Sequence, residues 1–183
     1  DVLKQRTDAK LNKGNILFRG MASYAKYGPD NPVTDIIPEA ELKSMDINRL
    51  VEKLNQLTSY AHHVFYFGQK NPEEAIAVLD AHHKVPENLL AIPEEKLFPE
   101  LDIDMNKVYF CHYDMVQAEM IFLSKDELYN SKIAAYSSVF NEYFGAGLSS
   151  IVFQEIREQK ALAYSAYAFF TNPDLDSKSH YVQ

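Results

Sequence analysis

Two side chains that could hold a peptide bond lie seven positions apart in the last third of the sequence, Arg157 and Tyr164. A guanidinium and a phenol can both donate hydrogen bonds to a carbonyl oxygen. Arg157 falls on the polar side of a segment with helical periodicity, which leaves it available to solvent or to a ligand. Tyr164 belongs to a run whose small and aromatic residues alternate, as in a strand. A single helix-to-strand turn could therefore bring the two donors together.

The elements that would position this pair are predicted between residues 140 and 170. One helix ends at a glycine-rich elbow, a short second helix follows, and a strand begins after Ala161. The second helix has an apolar stripe, predicted to be buried, formed by Leu148, Ile151, Val152 and Ile156. The elbow glycines, Gly145 and Gly147, follow a helix and lack a third glycine, which excludes a dinucleotide-binding loop. They are better explained as allowing a sharp turn between closely packed helices.

The motifs of this region, Gly-Ala-Gly-Leu-Ser-Ser from 145, Phe-Gln-Glu-Ile-Arg-Glu from 153 and Leu-Ala-Tyr-Ser from 162, resemble the M16 zinc metallopeptidases, the family of pitrilysin and insulin-degrading enzyme. The likeness is to the non-catalytic C-terminal half. It implies that Arg157 and Tyr164 hold the substrate's main chain over a zinc carried by another domain, and that this segment has no catalytic residue. Ala146 and Ala161 stand where the family usually has glycine, and an alanine in a left-handed turn costs on the order of 1 kcal/mol.

The resemblance also implies an α+β fold of M16 type (LuxS/MPP-like), in which a layer of helices covers a mostly antiparallel sheet. We predict the helical tail of a preceding αβ domain over residues 1–58 and most of a C-terminal-type αβ domain over 59–183. The chain does not begin with Met and ends in an apparent strand, so we expect an incomplete fold cut from a longer protein. An open edge at strand 178–183 would favour pairing with another chain, including a second copy.

Periodicity and turn signals predict the remaining elements. Residues 28–32 are expected to form a turn, and the helix over 127–144 is expected to lay a wide apolar face on the sheet. Two further helices are predicted over 2–11 and 16–27. Three more are predicted to begin at Pro38, Asp46 and Asn71, and the helix from Asn71 is predicted to end near His83. The predicted strands are 62–67, 108–111, 115–123 and 178–183.

A zinc site would be the first expectation for a metallopeptidase, yet the His-x-x-Glu-His signature is absent. His62 and His63 are neighbours on a predicted strand and should point to opposite faces. His82 and His83 end a helix, where a cation favourably meets the helix dipole. We therefore predict no metal ligands here, with the zinc of the parent protein bound outside this segment.

The composition excludes some classes of binding partner. The formal net charge of −8 leaves no basic stripe for nucleic acid, and no apolar run is long enough to span a bilayer. The single cysteine, Cys111, excludes an intrachain disulfide and is best explained as a small buried apolar residue rather than a nucleophile. None of these features indicates a cellular compartment.

The sequence thus predicts a part of a zinc-dependent endopeptidase that supplies chamber wall and a clamp for the peptide backbone. Its expected partners are a peptide substrate and the zinc-bearing half, on the same chain or as a separate subunit. The alternative is a non-catalytic M16-like scaffold or assembly subunit. For Arg157 and Tyr164, a solvated helix-end cation and a locally satisfied sheet aromatic are the simpler interpretations, and only the resemblance favours a joint role.

Overall fold

The computed structural model covers residues 1–183 and divides into two compact units, residues 1–36 with 98–183, and residues 37–97. The first unit contains a three-stranded antiparallel sheet and several helices, and the second contains only helices and irregular segments. The α+β class is confirmed at this level. The domain boundary after residue 58 and the finer M16 topology stay predictions.

The first unit opens with helical structure, as predicted. Helix α1 (Val2–Leu11) is capped by the carboxylate of Asp1, and a π-helix (Asn15–Met21) continues into α2 (Ala22–Tyr27). Helix α2 ends at Gly28, whose φ of +81° favours glycine. The predicted turn follows: Asn31 is buried, its amide donates to the Gly28 carbonyl at 2.7 Å, and its Oδ1 accepts from the Val33 and Thr34 N–H groups.

The sheet is formed by β1 (Ser124–Leu128), β2 (Phe170–Thr171) and β3 (Ser179–Val182), in the order β1-β3-β2. The predicted C-terminal strand is therefore confirmed. It pairs on both sides, so the expectation that it would form an open edge was wrong: the edges are β1 and β2.

The buried centre of this unit lies on β3 and is largely polar. His180 is fully buried, and its ring stacks on Phe170 with centroids 5.0 Å apart. Its Nδ1 lies 2.9 Å from the Thr171 carbonyl oxygen, and the Asn130 N–H donates to its Nε2 at 3.0 Å. A carbonyl can only accept, so Nδ1 carries the proton and both ring nitrogens of the neutral imidazole are satisfied.

Three predicted strands are absent from the structure. Residues 62–67, 108–111 and 115–123 are irregular, although their aromatic and β-branched residues favour strands. A strand forms only where a neighbour supplies the hydrogen bonds, and β3 pairs instead with the charged segment Ser-Lys-Asp-Glu-Leu of β1. Hydrogen bonding to β3 stabilises β1 as a strand despite the weak strand propensity of its residues.

Helix α6 (Ala134–Phe144) begins later than the predicted start at 127 because β1 ends only at Leu128. Helix α6 contacts β2, as predicted, but only part of its apolar face is covered: Ile133 at its N-cap and Phe144 are half-buried. Tyr136, Val139 and Tyr143 are exposed by 75, 72 and 67%. Asn141 of α6 hydrogen-bonds to the sheet. Its amide donates to the Phe170 carbonyl at 3.0 Å, and its Oδ1 accepts from the Phe170 N–H at 2.7 Å.

The second unit confirms three more helix predictions. Helix α3 (Glu39–Ser44) follows Pro38, α4 (Ile47–Gln56) is capped by Asp46, and α5 (Pro72–His82) is capped by Asn71. Main-chain hydrogen bonds join Leu90 to the segment around Tyr60. The apolar residues of α4, among them Ile47, Leu50 and Leu54, are exposed. No helix in either unit has the length and hydropathy needed to cross a bilayer.

The Tyr181 side chain, also on β3, carries an unsatisfied group. Its hydroxyl is buried without a hydrogen-bond partner, and the Lys26 Nζ lies 4.2 Å from its ring centroid. Burial, and then the negative charge of Glu100, raises the pKa of Tyr181, and the same two causes raise the pKa of Tyr27. Burial lowers the pKa of Lys26, against an opposing effect of Glu100.

We predict that Tyr181→Phe raises the free energy of unfolding by about 1 kcal/mol at pH 7, because an unpartnered buried hydroxyl is costly. Tyr113→Phe is the matched control. The Tyr113 hydroxyl donates to the Leu11 carbonyl at 2.7 Å, so the same chemical change should destabilise there. Urea unfolding followed by circular dichroism measures both variants, and a loss of stability in Tyr181→Phe would contradict the prediction.

Alkaline pH tests the same residue. Above a pH of about 10, unfolded tyrosines lose protons that folded Tyr27 and Tyr181 retain, so stability should fall as pH rises. The lowered pKa of Lys26 acts in the opposite direction, because the unfolded lysine holds its proton longer. Tyr181→Phe should therefore show a shallower alkaline decline than the unchanged chain, and an equal slope would contradict this assignment.

Candidate peptide-binding site

Arg157 lies in a π-helical segment (Phe153–Gln159) that begins after a serine turn. Ser150 is fully buried; its hydroxyl donates to the Gly147 carbonyl at 2.9 Å and accepts from the Phe153 N–H at 3.4 Å. This serine acts as a cap, in agreement with the N-cap preference of its residue type. Of the predicted buried stripe, Val152 and Ile156 are half-buried, whereas Leu148 and Ile151 are exposed, so the prediction was wrong for those two.

The turn after the helix depends on Ala161. Its φ is +49°, and it is the sole non-glycine residue of the chain with a positive φ. Beyond it the Leu162 N–H donates to the Ile156 carbonyl at 3.0 Å, which closes the helix end. The left-handed turn expected at Ala161 is thus present. Ala146, the other alanine in a family glycine position, does not have a positive φ.

The structure brings the two predicted site residues together. The Cζ of Arg157 lies 5.3 Å from the centroid of the Tyr164 ring, within the range of a cation–π contact. Both side chains reach solvent: the Arg157 side chain is 36% exposed and Tyr164 is 82% exposed. The Tyr164 hydroxyl has no hydrogen-bond partner within the chain. A positive fork and a free phenol therefore face solvent side by side.

A third residue of the site was missed at the sequence level. The Arg157 Cζ lies 4.7 Å from the centroid of the Phe153 ring, so the guanidinium contacts two aromatic rings. Glu158 adds a loose ion pair, with its Oε1 3.6 Å from the Arg157 Nε. Phe153 stands four positions before Arg157, and neighbours at that spacing meet on one helix face. That signal was present in the sequence.

Tyr164 lies on an irregular segment, and the strand predicted after Ala161 was wrong over most of its length. Only Phe170 and Thr171 form a strand there. Near its end the segment is anchored by hydrogen bonds: the Ala168 N–H donates to the Gly145 carbonyl at 3.3 Å, and Phe169 exchanges two bonds of 2.8 Å with Gln183. The exposed position of Tyr164 results from this lack of strand pairing.

The elbow glycines have separate roles. A Cβ placed on Gly145 would overlap the carbonyl of Ala168, so only glycine allows the end of α6 to approach that segment so closely. Gly147 has a φ of +81° and open space around it, so its requirement is conformational. The elbow thus turns the chain sharply between α6 and the π-helical segment, as the sequence predicted.

No group of three or more His, Cys, Asp or Glu side chains comes close enough to hold a metal ion. That the catalytic zinc of the family lies in another domain, outside this segment, stays a prediction. Cys111 is exposed, so the interpretation that it is buried was wrong. Its Sγ lies 3.8 Å from the carbonyl oxygen of His112, and the His112 imidazole makes no contact with it that would activate a thiol.

Comparison with known proteins decides the family. A family model described as "Peptidase M16 inactive domain" matches residues 55–183, well over half of the chain. The chain belongs to the M16 peptidase family. The M16 resemblance drawn from the motifs at 145–165 is therefore confirmed, including its assignment to the inactive domain. Neither the curated proteins nor the solved structures gave a significant match.

The strained turn of this M16 domain yields a stability test. We predict that Ala161→Gly raises the free energy of unfolding by about 0.5–1 kcal/mol, because glycine adopts a positive φ without the steric cost that alanine has. Ala146→Gly is the matched control, since Ala146 gains nothing from that freedom and should lose stability through the more flexible unfolded chain. Urea unfolding midpoints measure both, and an equal loss in the two variants would show that the turn at Ala161 is not strained.

Proposed function

We propose that this chain is the substrate-binding part of an M16-type zinc-dependent endopeptidase, supplying chamber wall and a clamp for the peptide backbone. The observation that carries the proposal is the contact between Arg157 and Tyr164, which leaves both groups accessible. This juxtaposition supports one shared ligand rather than two unrelated surface residues.

The chemistry of the pair suits a peptide carbonyl. The guanidinium keeps its positive charge at any working pH and offers several N–H donors, and the phenol adds one O–H donor. Contact with Phe153 and Tyr164 limits the freedom of the guanidinium before substrate arrives, which lowers the entropy cost of binding. Both groups would orient and polarise the carbonyl oxygen without transferring a proton. The zinc would be bound in another domain, since this chain lacks a ligand set.

The exposed apolar side chains support the proposal that a partner covers this surface in the complete protein. Helix α6 presents Tyr136, Val139 and Tyr143 to solvent, and α4 does the same with Ile47, Leu54 and neighbouring residues. Apolar surface on this scale is typical of interfaces. We propose the zinc-bearing M16 half as this partner, on the same polypeptide or as a separate subunit, with a second copy of the chain as a further possibility.

A non-catalytic scaffold subunit is the second candidate. The inactive description of the matched domain fits either function, and the exposed apolar surfaces of α4 and α6 fit a subunit whose role is assembly. Against it stands the solvent-facing contact of Arg157 with Tyr164, which a scaffold would not require. One observation separates the two functions: whether a His-x-x-Glu-His motif is present in the complete protein, on the same polypeptide or on a partner subunit.

We predict that Arg157→Ala or Tyr164→Phe in the complete protein lowers kcat/KM for peptide cleavage at least about tenfold, because each removes a donor to the substrate carbonyl. Zinc content should stay unchanged. Lys160→Ala is the matched control: it removes a nearby exposed cation that contacts Glu155, and it should leave cleavage unaffected. Unaltered kcat/KM in both site variants would eliminate the clamp.

A further inference from the structure

Two histidines from separate parts of the second unit meet edge to face. The Nε2 atoms of His62 and His83 are 2.7 Å apart, and their ring centroids are 5.0 Å apart with an interplanar angle of 86°. His62 lies on the irregular segment after Tyr60, and His83 caps the C-terminus of α5. His62 is exposed and His83 is half-buried, so the pair is open to solvent.

The hydrogen bonds of the pair define which nitrogen is free. The Nδ1 of His62 lies 2.6 Å from the carbonyl oxygen of Tyr60. A carbonyl can only accept, so Nδ1 carries the proton and Nε2 presents its lone pair toward His83. Imidazoles that bind metals are oriented in this way, with the second ring nitrogen donating to a carbonyl or carboxylate.

From this geometry we propose that His62 and His83 form a two-ligand site for a divalent transition metal ion of the Zn²⁺, Ni²⁺ or Cu²⁺ type. Imidazole nitrogen suits all three ions. With metal–nitrogen bonds of about 2.0–2.1 Å, a tetrahedral ion holds two nitrogens about 3.3 Å apart. The two rings therefore need to rotate until both lone pairs point at the ion, which separates the nitrogens by about 0.6 Å. His83, which donates from Nε2 in the free pair, gives up that proton to solvent and takes one up at Nδ1, so that it binds as a neutral imidazole. Water completes the coordination, since no third side chain is in place.

Both ligands are held by main-chain bonds. The His83 N–H donates to the Leu79 carbonyl at 2.7 Å. The segment that carries His62 is held by two hydrogen bonds to Leu90. The Leu90 N–H donates to the Ser59 carbonyl at 2.7 Å, and the Ala61 N–H donates to the Leu90 carbonyl at 3.1 Å. Because the two backbones are fixed independently of the imidazoles, the ion needs only side-chain rotation to bind. This site is distinct from the peptidase zinc, whose ligands would lie outside this chain.

The sequence supplies its own controls, because each ligand has a histidine neighbour. The Nε2 of His62 contacts His83, whereas His63 instead lies beside Phe65, with ring centroids 6.3 Å apart, and His82 is exposed. Titration of the 183-residue chain with ZnCl₂ by calorimetry should show one ion bound. His62→Ala and His83→Ala should each weaken binding at least about tenfold, and His63→Ala and His82→Ala should leave it unchanged.

A second measurement does not depend on whether the variants fold. In the unmutated chain, zinc should shift the imidazole resonances of His62 and His83 in ¹H–¹⁵N spectra and leave those of His63, His82 and His112 in place. No zinc binding, shifts spread over all exposed histidines, or equal losses in ligand and control variants would each overturn the proposal. The pair would then be a hydrogen-bonded contact and nothing more.

Discussion

The first unit depends on the central position of β3. This strand of four residues hydrogen-bonds to β1 on one side and to β2 on the other, and it contains the fully buried His180. Its pairing partners come from far apart in the chain, near residues 124 and 170. Both ring nitrogens of His180 are satisfied, and the Ser179 N–H donates to the Glu100 carboxylate at 2.9 Å; the Tyr181 hydroxyl is the exception on this strand. Unpaired polar groups would be costly at such burial, so this network specifies one arrangement.

The hydrogen-bond network around β3 also positions the candidate site. Asn141 ties the last turns of α6 to Phe170, the Phe169–Gln183 pair extends β2 and β3, and Gly145 brings the elbow against residue 168. Both ends of the segment that carries Arg157 and Tyr164 are therefore anchored at one edge of the sheet. Between these anchors the strained turn at Ala161 sets how the helix ends. Hydrogen bonds and backbone geometry, rather than apolar packing, bring the two side chains together.

Apolar packing is sparse throughout the chain. Ala75 and Tyr181 are its only buried hydrophobic residues, while the apolar residues of α4 and many of those on α6 face solvent. Burial of such surface normally provides most of the stability of a folded domain. The amphipathic patterns are thus correctly placed but uncovered, and this is why a partner is central to the proposed function. The surface of the second unit has the same character, which leaves its His62–His83 pair accessible.

Local chemistry in the sequence determined the features whose bonds lie within a few residues. The helices capped by Asp1, Asp46 and Asn71 and the turn at Asn31 could be predicted because capping and turn propensity act over such distances. The motif around Arg157 identified the family for the same reason, since its spacing is readable directly. The left-handed turn at Ala161 was expected only from the glycine that the family usually has at that position.

Only the tertiary structure decided which strands form and which side chains meet. The aromatic and β-branched residues at 62–67 and 115–123 predicted strands that did not pair, whereas the charged residues of β1 became a strand because β3 was available beside them. The contact between His62 and His83 was equally unpredictable, because each has another histidine as its sequence neighbour and the two lie 21 positions apart. Strand pairing and side-chain clusters join residues that are distant in sequence, and no local pattern records which partner will be near.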